Sequence, residues 1–280
     1  MAAIALGLGA ALCWGLADFL GGLRARRLTL ATVLVVSQLT GLTAVAIVVV
    51  VGGIEMPASG DVWPAVAAGA CQLVGIAALY RALAIGTMSV ISPISASGAA
   101  ALPVIVGVAG GESPAALQIA GMAAAFAGVG LATRSAETSE PGASRRALAL
   151  AGIAALGFGG FYVGMDAAVD SSEPLSSLLL ARVTAIAVLV VAFAVLRPRL
   201  TPDSAALPSL ALIGLLDVGA NACFAIGTDT GLLSVVAVLA SLYPVTTVVL
   251  ARALLGERLA AIQTAGVVVA LAGVAMIASG

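Results

Sequence analysis

The side chains best suited to chemistry in this sequence are polar residues that lie in the middle of long apolar segments. Asp217 lies about ten residues into such a segment, and Asn221 follows one helical turn later on the same face. An ionisable group at the centre of a membrane costs about 2.5–3.5 kcal/mol on insertion scales, so a carboxylate there needs a partner or a function. Asp217 could bind a solute or carry a coupling proton. It could also form a structural ion pair with Arg182, which lies within about 6 Å of the same depth in the preceding segment.

A second pair of charged residues lies nearer to one membrane face. Asp18 and Arg81 are close to the same end of the first and third apolar segments. An ion pair between them could act as a gate. It could equally be a static pair at the membrane interface, where a long arginine side chain reaches water at little cost. The sequence leaves both interpretations open.

Aromatic residues are only 4% of the chain, so those inside apolar segments are informative. Trp14 and Tyr243 lie well inside their segments, and we expect them to form cavity walls. Tyr80 and Tyr162 could contribute to the same site, or they could belong to an interfacial aromatic belt or to packing. Ser95 lies in a serine-rich stretch beside a proline, which suggests a polar irregularity unless the hydroxyls bond back to their own helix.

Ten apolar segments must position these residues. Charged residues are 9% of the chain and apolar residues 62%, whereas a soluble domain has about 25% charged residues. Each segment is near the ~20 residues that a membrane-spanning helix needs, which predicts an all-α integral membrane protein with ten transmembrane helices. We place the segments at about 2–23, 29–51, 62–84, 88–109, 114–133, 147–169, 174–196, 207–228, 232–253 and 259–278.

The second half of the chain repeats the first half at a constant offset. A shift of 145 residues places Glu112 on Glu257 and Gln72 on Asp217 without a gap. Each half holds five segments, which is an odd number, so the second half must enter the membrane in the opposite sense. Two inverted repeats around a central cavity are typical of membrane transporters. Gln72 and Asp217 would then converge on that cavity near the membrane midplane.

The repeat also divides the chain into predicted domains. The first five-helix repeat covers residues 1–135 and the second covers residues 147–280. Residues 136–146 between them are rich in serine, glutamate and arginine and have no apolar periodicity, which predicts a polar linker.

Glutamates stand at the entry of the fifth and tenth segments. A carboxylate at a helix N-terminus accepts hydrogen bonds from free backbone N–H groups and is favoured by the helix dipole. We therefore expect Glu112 and Glu257 to cap their helices, with a gating role as the alternative.

All arginines except Arg182 fall on one side of the predicted membrane protein, which we call the arginine side. The opposite side, the acidic side, has no lysine or arginine, and the excess of positive charge predicts that the arginine side is cytoplasmic and both termini lie outside. The arginine side carries Arg24, Arg26, Arg27, Arg81, Arg134, Arg145, Arg146, Arg197, Arg199, Arg252 and Arg258. The acidic side carries Glu55, Asp61, Glu112, Asp166, Asp170, Glu173 and Asp229.

Several functional classes are disfavoured by residue types. The chain has no histidine, and its three cysteines share no metal-ligand spacing, so we expect neither a metal nor another cofactor. It has no nucleotide-binding loop with a glycine-rich stretch and lysine, no run of basic residues for nucleic acid, and no nucleophile–base pair. These observations predict that the protein is not an enzyme.

Short motifs at the repeat spacing resemble the EamA-type members of the drug/metabolite transporter superfamily. The motifs in the first half are Trp14-Gly15, Gly111-Glu112, Gln118, Gly121 and Ala127-Gly128-Val129. Those in the second half are Tyr243-Pro244, Gly256-Glu257, Gln263, Gly266 and Ala272-Gly273-Val274. The resemblance implies ten helices around a cavity lined mainly by helices one, three, four, six, eight and nine. Many members of this family keep both termini in the cytoplasm, which disagrees with the arginine distribution.

Together these observations predict a secondary transporter, which exports small organic metabolites or drugs by alternating access and does not use ATP. We expect a multi-pass protein of the cell (inner) membrane whose partners are a small organic solute, membrane lipid and, if transport is ion-coupled, a proton carried by Asp217. A homodimer stays open. The alternatives are a translocator of lipid-linked or amphipathic substrates and a membrane-embedded enzyme. The expected cavity suits a neutral or amphipathic solute better than a polyanion.

Overall fold

The computed structural model describes residues 1–57, 62–86, 88–132, 145–201, 203–255 and 261–279. Within these ranges the chain is helical and contains no strand. The helices are α1 (Ala2–Ala25), α2 (Leu30–Gly52), α3 (Trp63–Ile85), α4 (Met88–Ala109), α5 (Ala116–Ala132), α6 (Arg145–Val169), α7 (Pro174–Leu196), α8 (Leu207–Thr230), α9 (Leu233–Ala240), α10 (Tyr243–Leu255) and α11 (Ala261–Ser279). A 3₁₀ turn, Ser204–Ala206, leads into α8.

These helices follow the predicted segments closely, except in one place. The ninth segment, expected to be one helix, is broken into α9 and α10 at Ser241 and Leu242. Pro244 explains the break, because proline has no N–H and its ring clashes with the carbonyl of the residue four positions earlier. That residue is Ala240, the last residue of α9.

Six of the described helices are long and apolar enough to cross a membrane. They are α1, α2, α3, α6, α7 and the segment Ser204–Thr230, which contains α8. The predicted number of ten is not confirmed. The described apolar parts of α4 and α5, Ile94–Ala109 and Ala116–Gly128, are shorter, and the ninth segment is divided.

Helices from the two halves pack against each other in antiparallel pairs. At one end of the α3–α6 pair Gly86 lies against Ala147, and near the other end Gly164 lies against Pro64. Between these ends the backbone of Gly75 meets that of Gly157. Small residues at such positions let helix backbones approach closely.

The α1–α8 pair has the same construction. Gly231, just after α8, lies against Ala3 at the start of α1, and Gly227 lies against Leu6. The first helix of each half therefore packs along the third helix of the other half: α1 along α8, and α6 along α3.

Helix α11 packs along α5. A side chain at Gly273 would meet the backbone of Gly121 and Ala125, so this glycine is needed for close approach. Gly121 and Gly273 of this pair therefore serve close helix packing.

The predicted linker lies mostly outside the described residues. Helix α6 begins at Arg145, so the last two predicted linker residues, Arg145 and Arg146, are helical. Arginine is a good helix former and both side chains are exposed, so the helix extends beyond its apolar part at little cost.

Candidate functional site

A buried ion pair joins α7 to α8. The Arg182 side chain donates a hydrogen bond from Nη2 to Asp217 Oδ2 at 2.7 Å, and it donates from Nη1 to Gln38 Oε1 of α2, also at 2.7 Å. Arg182 is 0% exposed. The predicted pair between Arg182 and Asp217 is therefore formed, and Gln38 completes a bridge across three helices.

Asp18 of α1 has a different environment. Its side chain is only 7% exposed, and it accepts no hydrogen bond from the part of the chain that the structure describes. The expected ion pair with Arg81 is not formed, because Arg81 is exposed. Successive helical residues point about 100° apart, and the preceding residue, Tyr80, occupies the position that packs against Gly21 of α1.

Both carboxylates line one small cavity at the centre of the bundle. Its volume of about 10 Å³ is close to that needed for a single water molecule. The walls come from α1, α3, α6, α8 and α10, so residues of both halves contribute. The lining residues are Trp14, Asp18, Ile76, Phe158, Tyr162, Asp217 and Tyr243.

Four aromatic rings form a cluster beside this cavity. Tyr162 stacks on Phe224 with ring centroids 4.5 Å apart, and Trp14 lies 5.5 Å from Tyr162. The centroid of the Phe161 ring lies 5.9–6.4 Å from the centroids of the other three rings. Trp14 lies one turn before Asp18 on α1, so the cluster separates the carboxylates from the end of the bundle where α1 begins.

Tyr243 places the helix break at the cavity wall. It is the first residue of α10 and is 2% exposed, and its hydroxyl has no hydrogen-bond partner among the described residues. Its carbonyl accepts a hydrogen bond from Thr247, whose hydroxyl is also within 3.3 Å of the Gly15 carbonyl on α1. The break is thus held against α1 beside the site.

The remaining predicted site residues are buried but do not line the cavity. Gln72, Asn221 and Tyr80 each have a side-chain polar atom without a partner among the described residues. The Ser95 hydroxyl donates to the Ala151 carbonyl of α6 at 3.4 Å, so it bonds to a neighbouring helix and not to its own. Tyr80 and Tyr162 are fully buried, which excludes an interfacial belt for both.

Several residues of this site were not predicted from the sequence. Gln38 carried a usable signal, because it is an amide in the middle of a very apolar segment. Phe158, Phe161 and Phe224 carried none that separates them from other apolar residues. Ile76 is equally unremarkable in sequence.

Glu112 caps a helix, but not the one that was expected. Its carboxylate accepts the backbone N–H of Ser234, in the first turn of α9, at 3.2 Å. The turn after α4 makes this possible, because Gly111 has a positive φ of 103° and the Glu112 N–H bonds back to the Gly107 carbonyl at 2.9 Å. This is the geometry of a glycine-terminated helix end. The Glu257 prediction lies outside the described residues.

Comparisons with known proteins agree with this architecture. Residues 145–279 match the model of the EamA-like transporter family. A crystal structure of another protein superposes with a TM-score of 0.70 over 98% of this chain and 95% of that chain, at 18% sequence identity, which shows a shared fold. No curated protein matches the sequence. The match over the second half, together with the apolar helices, confirms the resemblance seen in the motifs: residues 145–279 of this multi-pass membrane chain are similar to the EamA-like transporter family.

Proposed function

We propose that the chain is a secondary transporter that moves small organic solutes by alternating access around the central cavity. The observation that carries this proposal is the pair of membrane-buried carboxylates, Asp18 and Asp217, in one cavity walled by both halves of the chain. Ionisable residues inside a membrane bundle mark pathways for solutes and ions. Six of the seven residues that line the cavity are at least nine-tenths buried, which suits an occluded state between inward-open and outward-open forms.

The two halves, residues 1–135 and 147–280, are proposed to be inverted five-helix repeats. In support, α3 contacts α6 and α7, and the repeat-equivalent helix α8 contacts α1 and α2. Such an exchange of contacts is expected when a pseudo-twofold axis relates two halves, and alternating access then rocks one half against the other.

Asp18, and not Asp217, is the carboxylate that we propose to carry a coupling proton. Asp217 is held by Arg182, whose charge balances it, so a proton there would leave a buried cation unpaired. Asp18 has no such partner among the described residues and faces the cavity. This revises the expectation drawn from depth in the membrane alone.

Export across the inner membrane remains part of the proposal, following the family resemblance. The arginine side is proposed to be cytoplasmic. A C-terminal reporter that works only outside the cytoplasm should then be active, and one that fluoresces only in the cytoplasm should be dark. The opposite pattern would overturn the orientation and leave the transport proposal standing.

The transport proposal is tested by a metabolite screen in everted membrane vesicles, with and without a pH gradient. At least one organic solute should accumulate faster than in vesicles that lack the protein, and the gradient should drive it. Asp18→Asn should abolish the gradient-driven part, whereas Glu55→Gln, which removes an exposed carboxylate, should not. Movement of no solute would contradict the transport proposal. If the pH gradient drove transport by the Asp18→Asn variant as strongly as by the unmodified protein, Asp18 would not carry the coupling proton.

A further inference from the structure

The charges at the central cavity do not cancel. Asp217 is balanced by Arg182, which also bonds to Gln38. Asp18 lines the same cavity, is more than nine-tenths buried, and has neither an ion pair nor a hydrogen bond with any described residue. When all three groups are ionised, the site therefore carries one negative charge without a partner. A buried charge of this kind needs a counter-charge from elsewhere.

The walls around that charge are aromatic. Trp14, Tyr162, Tyr243 and Phe158 line the cavity together with the two carboxylates. The faces of such rings attract cations, most strongly when water is excluded, and they also bury the apolar part of a solute. An anion would meet the negative ring faces and the free carboxylate, and both repel it. The Tyr243 hydroxyl, unpartnered among the described residues, can accept a hydrogen bond from a donor in the cavity.

The charged residues between the acidic side and the cavity are negative, as Asp18 is. Asp166 lies one helical turn after Tyr162 on α6, so it continues the helix face that lines the cavity. Asp170 and Glu112 are close enough to Asp166 for their charges to interact. A mouth lined by one sign of charge raises the local concentration of oppositely charged solutes.

We infer that the transported solute is a small organic cation, an amine with an apolar body, whose ammonium group pairs with Asp18 between the aromatic rings. This inference rests on the proposed transport function and narrows the expected neutral or amphipathic solute to a positively charged one. The cavity of about 10 Å³ is too small for such a molecule. The rings of the aromatic cluster must therefore part when the site opens, which makes Trp14 a reporter of binding.

The test uses the two tryptophans of the chain. Trp63 is 70% exposed and far along α3 from the cavity, so Trp63→Phe leaves Trp14 as the single fluorescent tryptophan of the full-length protein. Three probes share one apolar body: 2-phenylethylamine, which is a cation at neutral pH, 2-phenylethanol, which is neutral, and phenylacetate, which is an anion. The cation should change Trp14 emission saturably in detergent-purified protein. The neutral and anionic probes should bind at least about tenfold more weakly.

This comparison of probes needs no variant at Asp18, so it holds even if an Asp18 variant fails to fold. Equal binding of 2-phenylethanol, tighter binding of phenylacetate, or no saturable response to the amine would each overturn the inference. In folded Asp18→Asn the preference for the cation should be lost, and in Asp18→Glu it should be retained. Glu55→Gln, which removes a carboxylate far from the cavity, should leave it unchanged.

Failure of this inference is distinct from failure of the proposed function. The vesicle screen contains neutral and anionic solutes as well as amines. If the protein moved only neutral or anionic solutes, the transport proposal would stand and the inference of a cationic solute would be wrong. If the protein moved no solute of any charge, the proposed transport function itself would be wrong.

Discussion

Helix α3 of the first half and helix α8 of the second half meet their neighbours at equivalent glycines. Gly69 lies against the carbonyl of Ala181 on α7, and Gly214, which the 145-residue shift aligns with it, lies against the carbonyl of Ser37 on α2. Both contacts join helices across the two halves, and both leave no room for a Cβ atom. The packing frame of the molecule is thus present twice.

The chemical groups of the site are present only once. At the repeat-equivalent positions, Asp18 is matched by Val163, Arg182 by Ser37 and Asp217 by Gln72. Trp14 is likewise matched by Gly159. The close helix contacts at these glycines therefore occur in both halves, whereas the charges and the aromatic wall of the cavity do not. Variants at equivalent positions of the two halves test whether the packing is shared and the charges are not.

The largest effect is expected from separating the halves. The chain is cut between residues 137 and 143, and each half is expressed alone or together with the other half. Neither half alone should transport, because the cavity takes walls from both, and co-expression should restore a complex with some transport. The measurement is uptake in vesicles together with co-purification. Transport by one half alone would mean that a homodimer suffices, and the proposed two-repeat cavity would be wrong.

Arg182→Ala should be the most damaging single substitution. It leaves the Asp217 carboxylate buried without a counter-charge, which destabilises proteins by about 3–5 kcal/mol. The thermal unfolding midpoint of the purified protein measures the loss. The double variant that combines Arg182→Ala with Asp217→Ala should recover much of the lost stability, because no unpaired charge remains.

The matched control for Arg182 is its repeat-equivalent residue. Ser37→Ala removes only a hydroxyl that bonds to the Val33 carbonyl of its own helix, so we expect a change within about 1 kcal/mol. A loss at Ser37 equal to that at Arg182 would show that the two positions are structurally alike, contrary to the comparison.

The duplicated frame predicts similar losses at both glycines. Gly69→Ala and Gly214→Ala each force a methyl group against a neighbouring backbone carbonyl, and overpacking of this kind costs about 1–3 kcal/mol. Gly219→Ala is the control, because a Cβ atom there meets nothing within 4 Å, and alanine in a helix should stabilise by about 0.5–1 kcal/mol. The thermal unfolding midpoints of the three purified variants measure these changes in stability. A loss at only one of the two glycines would mean that the frame is not equivalent.

The smallest effect is expected at the cap of α9. Glu112→Gln weakens the bond to the Ser234 N–H and should cost about 1 kcal/mol, as the loss of helix caps does. Glu173→Gln is the matched control, since Glu173 precedes α7 but its side chain makes no capping bond. Unfolding in detergent compares the two variants. Equal effects would show that the Glu112 carboxylate contributes little to the cap.

The sequence predicted much of the architecture because helix formation and membrane burial are local properties. Apolar length placed the helices within a few residues, and depth within the segments made an ion pair between Asp217 and Arg182 one of two open interpretations. The break before α10 was not predicted, although Pro244 causes it. Pro103 lies inside α4 without ending that helix, so a proline alone does not tell whether neighbours will satisfy the carbonyls that it frees.

Only the tertiary structure decided which of the polar residues meet. Asp18 and Arg81 lie near the same end of their helices, yet the rotation of α3 places Tyr80 against α1 and turns Arg81 outward. The same packing decides that Asp18 is left unpaired and that Glu112 caps a helix 122 residues away. Segment length and depth are written along the chain, but the rotation of each helix about its axis is set by contacts with all its neighbours at once. The sequence therefore determined where the charged groups lie along the helices, and the packing determined what each of them faces.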